Sequence, residues 1–145
     1  MAVDQGTGLT GPASADAVLR LAAEVAAADG VDPLNEQSTL AVRHESAAVR
    51  HHWLADGAEL LGYAIVDGGS GELCVHPQQR RRGLGRRLLD AVLDDAPATA
   101  LWAHGNLPGA QALARSAGLR LTRELWQMGR ELGPLSRREP DPARG

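Results

Sequence analysis

The sequence contains no lysine: all fifteen of its basic residues are arginine. That absence excludes a Walker A phosphate loop, which needs its lysine, and any Schiff-base lysine. Cysteine is nearly missing as well. Cys74 stands alone among 145 residues, so no internal disulfide framework can form and a reducing, cytoplasmic setting is expected. No stretch approaches the roughly 18 apolar residues a spanning helix needs, and no signal-peptide pattern opens the chain, so no membrane partner is expected. Net positive charge is lacking too. The formal charge of −3 argues against a nucleic-acid partner, because such binders usually carry a broad basic face. Any anion site must therefore be local.

What is present fits one globular domain, with 43% hydrophobic and 23% charged residues. The Gly-rich opening, residues 1–12, reads as a flexible N-terminus, and the Pro-rich, charged residues 133–145 as a tail or linker. Between them, over 13–132, the pattern is that of one folded domain. Ser14 suits the cap of a helix reaching about Ala28, and a second, short helix starts near Asn35. Strands are expected over 49–55, 59–67 and 71–76, joined at Asp56-Gly57 and Gly68-Gly69 as an antiparallel meander. A helix from Gly83, a strand over 99–104 and a helix over 107–118 follow, and 119–132 reads as one long strand or two with a bend. The order implies an α/β (α+β mixed) fold: a mixed, mostly antiparallel central sheet with helices on both faces.

Positive charge concentrates in "RRRGLGRR", residues 80–87, directly after the apolar "ELCVHP". This places two glycines and several guanidinium groups where a helix begins. The first turn of a helix has unsatisfied N–H groups and a partial positive charge. Glycines at 83 and 85 would let a phosphate approach the backbone, and arginines add charge in fork geometry. The site suits a pyrophosphate. A solvated basic turn is the competing reading, and a nucleic-acid contact a more distant one.

Arg80-x-x-Gly83-x-Gly85, preceded by Val75-His76-Pro77, resembles the acetyl-coenzyme A motif of the GNAT acetyltransferase superfamily. The order of elements is similar to the GNAT fold over nearly the whole chain. The resemblance implies acetyl-coenzyme A as cosubstrate, with no metal. It places the pantetheine arm along Leu73, Cys74 and Val75, and the pyrophosphate at Arg81, Arg82, Gly83, Leu84, Gly85 and Arg86. More narrowly, "AADGVDPLNEQ", "LWAHGNLPGAQALARSAGL" and "RELWQMGREL" resemble the N-terminal half of the mycothiol synthase family of tandem GNAT enzymes. That likeness implies acetylation of the cysteinyl amine of cysteinyl-glucosaminyl-inositol, a small-molecule amine, and a second GNAT domain as a possible partner. It makes Glu36 the contact to the polar substrate, although a carboxylate at a helix start also satisfies the helix dipole. A non-catalytic coenzyme-binding module, or a single-domain relative acting on another amine, is the alternative.

The acid and base of such a transfer are less legible. Ala114 occupies the position where GNAT enzymes commonly place a tyrosine, and the chain's single tyrosine, Tyr63, lies in a middle strand as core or pocket lining. Candidate proton carriers are Glu72 and His76, four residues apart on one strand face, and His104 at the end of the fifth strand. An exposed strand glutamate and a pre-proline histidine are the competing readings of the first two. Adjacent His51 and His52 face opposite ways, so they do not share a metal, and no zinc-ligand spacing occurs. Cys74 fits a buried structural thiol better than a nucleophile.

Overall fold

Serine, asparagine and glycine set the boundaries of the first elements. The Ser14 side chain accepts from the Ala17 N–H at 3.2 Å and opens α1 (Ala15–Asp29), which Gly30 closes at φ 77°. The helix α2 (Glu36–Arg43) starts at Asn35, whose side chain accepts from the Ser38 N–H at 2.7 Å. The computed structural model describes residues 3–44, 48–80, 82–102, 108–122 and 125–128. The expected 133–145 tail lies outside them, as do His104 and Arg81.

Strands β2 (Val49–Asp56), β3 (Glu59–Asp67) and β4 (Ser70–Val75) form the expected meander. Its hairpins turn on positive-φ glycines at Gly57, Gly68 and Gly69. The helix α3 (Leu84–Asp95) then crosses over to β5 (Ala100–Trp102), which runs parallel to β4. After α4 (Pro108–Ser116), the expected single or bent strand proves to be two, β6 (Leu119–Thr122) and β7 (Leu125–Met128), paired antiparallel. The N-terminal residues, expected to be loose, contribute β1 (Asp4–Gly6), which pairs with the free edge of β2. One seven-stranded sheet results, in the order β1-β2-β3-β4-β5-β7-β6.

Period-two alternation sends the two faces of this sheet into separate cores. On one face, Val18, Leu21 and Val25 of α1 pack with Val42, Trp53, Tyr63, Ile65 and Cys74. On the other, Leu84, Leu88 and Val92 of α3 meet Leu54, Ala64 and Val66. A third cluster joins α3 and α4 to β5 and β6 through Leu89, Leu101, Ala114 and Leu119. A bulge in β3 sits where these cores meet. Leu54 pairs with Gly62 and Ala55 with Leu60, leaving Leu61 as the extra residue. Leu60 therefore packs with α1, while Leu61 turns to the α3 side.

Gly71 is the last residue of β4 that pairs with β5, opposite Leu101. A Cβ there would stand 3.0 Å from both Leu101 Cδ2 and Thr99 Cγ2, and 3.3 Å from the Ile65 carbonyl oxygen. Gly71→Val is expected to destabilise the fold by about 1–3 kcal/mol, as overpacking does in a filled core, and urea denaturation measures it. An unchanged midpoint would mean that β5 moves aside freely.

The two adjacent histidines of β2 face opposite sides of the sheet. His51 Nδ1 lies 2.6 Å from the Tyr63 hydroxyl among the α1-side residues. His52 is fully buried, with neither ring nitrogen hydrogen-bonded among the described residues and Asp95 Oδ2 3.7 Å away. Burial lowers the proton affinity of His52; Asp95 opposes that shift and Arg50 adds to it. The unfolded chain therefore takes up the proton more readily than the folded one. Stability is full above the ordinary histidine value of 6.5 and is lost as pH falls from there towards the lowered folded value. Urea midpoints between pH 7.5 and 5.5 should fall more steeply for the wild type than for His52→Leu. Parallel profiles would assign the acid sensitivity to other groups.

Candidate functional site

Two backbone features converge where β4 gives way to α3. The first is an opened ladder. The β4–β5 pairing comprises Ser70↔Ala100 and Gly71↔Leu101, after which β5 pairs on its other side with β7. From residue 72 to Val75, β4 keeps β3 on one side and has no strand partner on the β5 side among the described residues. The side chains of the expected pantetheine-arm residues are already committed. Leu73 and Val75 pack on the α3 side, and Cys74 is buried on the α1 side. Burial pushes the Cys74 thiol up to about 12, so it is a neutral packing group and not a nucleophile. What the wedge offers is backbone.

The second feature is the start of α3. Gly83 is its N-cap at φ 78°, a left-handed conformation that glycine adopts without strain, and among the described residues no atom outside its chain neighbours lies within 4 Å of where its Cβ would be. The Arg87 N–H already bonds the Gly83 carbonyl at 3.1 Å. The N–H groups of Leu84, Gly85 and Arg86 precede that first bond, and among the described residues no side chain caps them; the first turn holds no acid. The result is an open, positively polarised cradle at the wide end of the wedge.

Gly85 also faces α4 and β4: a Cβ at this position would meet Leu113 Cδ2 at 3.4 Å and Val75 Cγ2 at 3.6 Å, ordinary van der Waals distances, while its N–H stays in the cradle. The arginines are also divided. Arg80 donates to both carboxylate oxygens of Asp29, at 2.7 and 2.9 Å, and to the Val75 carbonyl at 3.3 Å. The Asp29 bonds raise its already high pKa. Arg80 therefore ties the end of α1 to the end of β4. Arg86 donates to Asp90 at 2.9 Å and to the Ser116 carbonyl at 2.7 Å, so its guanidinium caps α4 while its N–H remains in the cradle. Arg82 is exposed and donates to Gln79. These three guanidinium groups thus serve three different partners.

Glu72 and His76 share the α1 side of the sheet but serve different partners. Glu72 is 2% exposed, so its reading as an exposed strand residue is corrected; it accepts from the Asn35 N–H. His76 Nδ1 accepts from the Gln78 N–H at 3.1 Å, which leaves the proton on Nε2, 2.5 Å from Glu24 Oε1. Glu36 lies exposed in the first turn of α2, one residue after Asn35. Ala114 is buried against Leu89 and Leu101, and Tyr63 is fully buried on the α1 side with its ionisation suppressed by burial. Sequence reading missed Asp29, Glu24 and Asn35 as partners. For Asp29 and Asn35 the available signal was their place at a helix end; Glu24, inside α1, carried none.

The described residues contain no cluster suited to a metal ion and no helix long and apolar enough to cross a membrane. The family described as acetyltransferase (GNAT) domain matches residues 48–119. The chain is 46% identical over 127 residues to the mycothiol acetyltransferase of Beutenbergia cavernae, covering 87% of this chain and 43% of that protein. It is 51% identical over 126 residues to the mycothiol acetyltransferase of Thermobispora bispora, covering 83% and 43%. The chain thus spans about two fifths of the length of these curated relatives. In fold it is similar to the phosphinothricin acetyltransferase of Sinorhizobium meliloti, solved in complex with AcCoA, at a TM-score of 0.62. That match has 18% identity and covers 84% of this chain and 77% of the other. With the strand order, the opened β4–β5 ladder and the uncapped α3 already in place, the matched domain shows that the chain belongs to the GNAT acetyltransferase superfamily.

Proposed function

We propose that this chain is the acetyl-coenzyme A-binding GNAT domain of a mycothiol synthase-type N-acetyltransferase, corresponding to the N-terminal of two such domains. The reaction is acetylation of the cysteinyl amine of cysteinyl-glucosaminyl-inositol, in the cytoplasm. The observation that carries this reading is the pairing of an uncapped, glycine-started helix with a strand edge released from its neighbour. The N–H groups of Leu84, Gly85 and Arg86 would hold the diphosphate, with Gly83 leaving room for it and Arg81 and Arg82 adding charge. Backbone groups of Leu73, Cys74 and Val75 would align the pantetheine arm, and Glu36 would contact the amine substrate. Bound acetyl-coenzyme A supplies the activated thioester. The chain's own contribution is orientation of donor and acceptor along the wedge.

Proton transfer is less well provided for. Ala114 has no proton to donate, and Tyr63 is turned into the α1-side core. This favours a division of labour in which the present domain binds coenzyme and a partner GNAT domain supplies most of the turnover. Calorimetry should give acetyl-coenzyme A binding below millimolar concentration, while the chain alone acetylates cysteinyl-glucosaminyl-inositol far more slowly than a two-domain relative. Absence of binding by both acetyl-coenzyme A and coenzyme A would remove the reading. Full turnover by the chain alone would remove the division of labour.

A further inference from the structure

A buried carboxylate fastens α2 to the sheet at the place where the β4–β5 ladder ends. Both oxygens of Glu72 lie within reach of the Asn35 N–H, at 3.2 and 3.1 Å, across 37 residues of sequence. The other groups of Asn35 face its own helix. Its side chain accepts from the Ser38 N–H, and its carbonyl accepts from the Thr39 N–H and hydroxyl, each at 3.0 Å. The backbone N–H of Asn35 is thus the main-chain group left for a partner beyond the helix. A carboxylate removed from water is costly unless hydrogen-bonded, and the positive end of α2 offsets that cost further. In register, Glu72 opposes Ile65 on β3 and lies one residue beyond Gly71, the last residue of β4 paired with β5.

From this juxtaposition we infer that Glu72 is a positioning residue: it holds the first turn of α2, and with it Glu36, against the apex of the wedge so that the amine meets the thioester. The role rests on the functional reading above. It differs from that of a proton acceptor, which must present a lone pair to the amine; the Glu72 oxygens are buried and directed at a backbone donor.

The test compares Glu72→Gln, which retains an acceptor oxygen but no charge, with Glu72→Ala, which retains neither. Affinity for cysteinyl-glucosaminyl-inositol is measured by calorimetry on chain saturated with acetyl-coenzyme A, and hydrogen exchange is followed at the Asn35 amide. Glu72→Ala should weaken amine binding by at least about tenfold, the effect of losing one such hydrogen bond, and should speed Asn35 exchange. Glu72→Gln should change both by less than about threefold, and coenzyme affinity should hold within about twofold in each variant. Equal losses in the two variants with Asn35 protection intact would overturn positioning in favour of a direct charge contact. Undiminished amine binding by Glu72→Ala would overturn positioning alone. Wild-type chain that binds coenzyme but not the amine would overturn the substrate reading and this role together. Should Glu72→Ala fail to fold, Glu72→Gln decides: retained amine affinity supports the tether and its loss overturns it.

Discussion

Gly83→Glu is expected to weaken acetyl-coenzyme A binding by about 100-fold or more, because like charges forced together cost several kcal/mol and each 1.4 kcal/mol is tenfold. The substitution acts at one point in three ways. It places a carboxylate beside the uncapped N–H groups of Leu84, Gly85 and Arg86, where the new charge satisfies the helix end that a diphosphate would otherwise occupy. It fills the open space in front of the Gly83 Cα. It also asks a β-carbon to tolerate φ 78°. Gly83→Asn separates these effects. Asparagine tolerates the left-handed region and carries no charge, so it should retain most of the affinity. Calorimetry on both variants, with circular dichroism to confirm the fold, checks the result. If Gly83→Glu binds like wild type, the coenzyme diphosphate lies elsewhere.

The prominence of Gly83 was legible because its chemistry is local: a glycine flanked by arginines, after a strand and before an amphipathic helix. The same holds for the Ser14 and Asn35 caps and for the glycine turns of the meander, each set by neighbours one to four residues away. What the sequence hid is non-local. Asp29 is 51 residues from Arg80 and the Ser116 carbonyl is 30 from Arg86, so nothing in "RRRGLGRR" says which guanidinium is occupied by which acid or helix end. Gly85 carries the same lesson. Its motif position suggests phosphate access, and nothing local says that its Cα also faces Leu113 and Val75. For β1 the tripeptide "DQG" has no apolar alternation at all, and its strand form is imposed by the open edge of β2. Glu72 looked exposed because a charged residue in a strand usually is; only the fold brings Asn35 over it.

Leu88→Ala tests whether the cradle depends on the core beneath it. Leu88 is fully buried on the inner face of α3, and its Cδ1 occupies the hollow over Gly62, 2.8 Å from where a Cβ on that glycine would stand. Gly62, next to the bulge, and the leucine are therefore complementary parts of one contact between α3 and β3. Truncation leaves a cavity lined by residues of a sheet that cannot collapse onto it, so the expected cost is about 2–5 kcal/mol of folding stability. Urea denaturation should show the midpoint falling with the slope unchanged, since the surface exposed on unfolding is nearly the same. Ligand linkage then supplies an independent reading. Coenzyme at about 100 times its dissociation constant stabilises the native state by about 2.7 kcal/mol. If the cradle depends only on the first turn of α3, wild type and variant gain this increment equally at equal saturation. If α3 settles into the cavity and carries the N–H groups of residues 84–86 with it, the variant binds more weakly and gains less at the same coenzyme concentration. An unchanged urea midpoint would mean that the Leu88–Gly62 contact does not hold α3 in place.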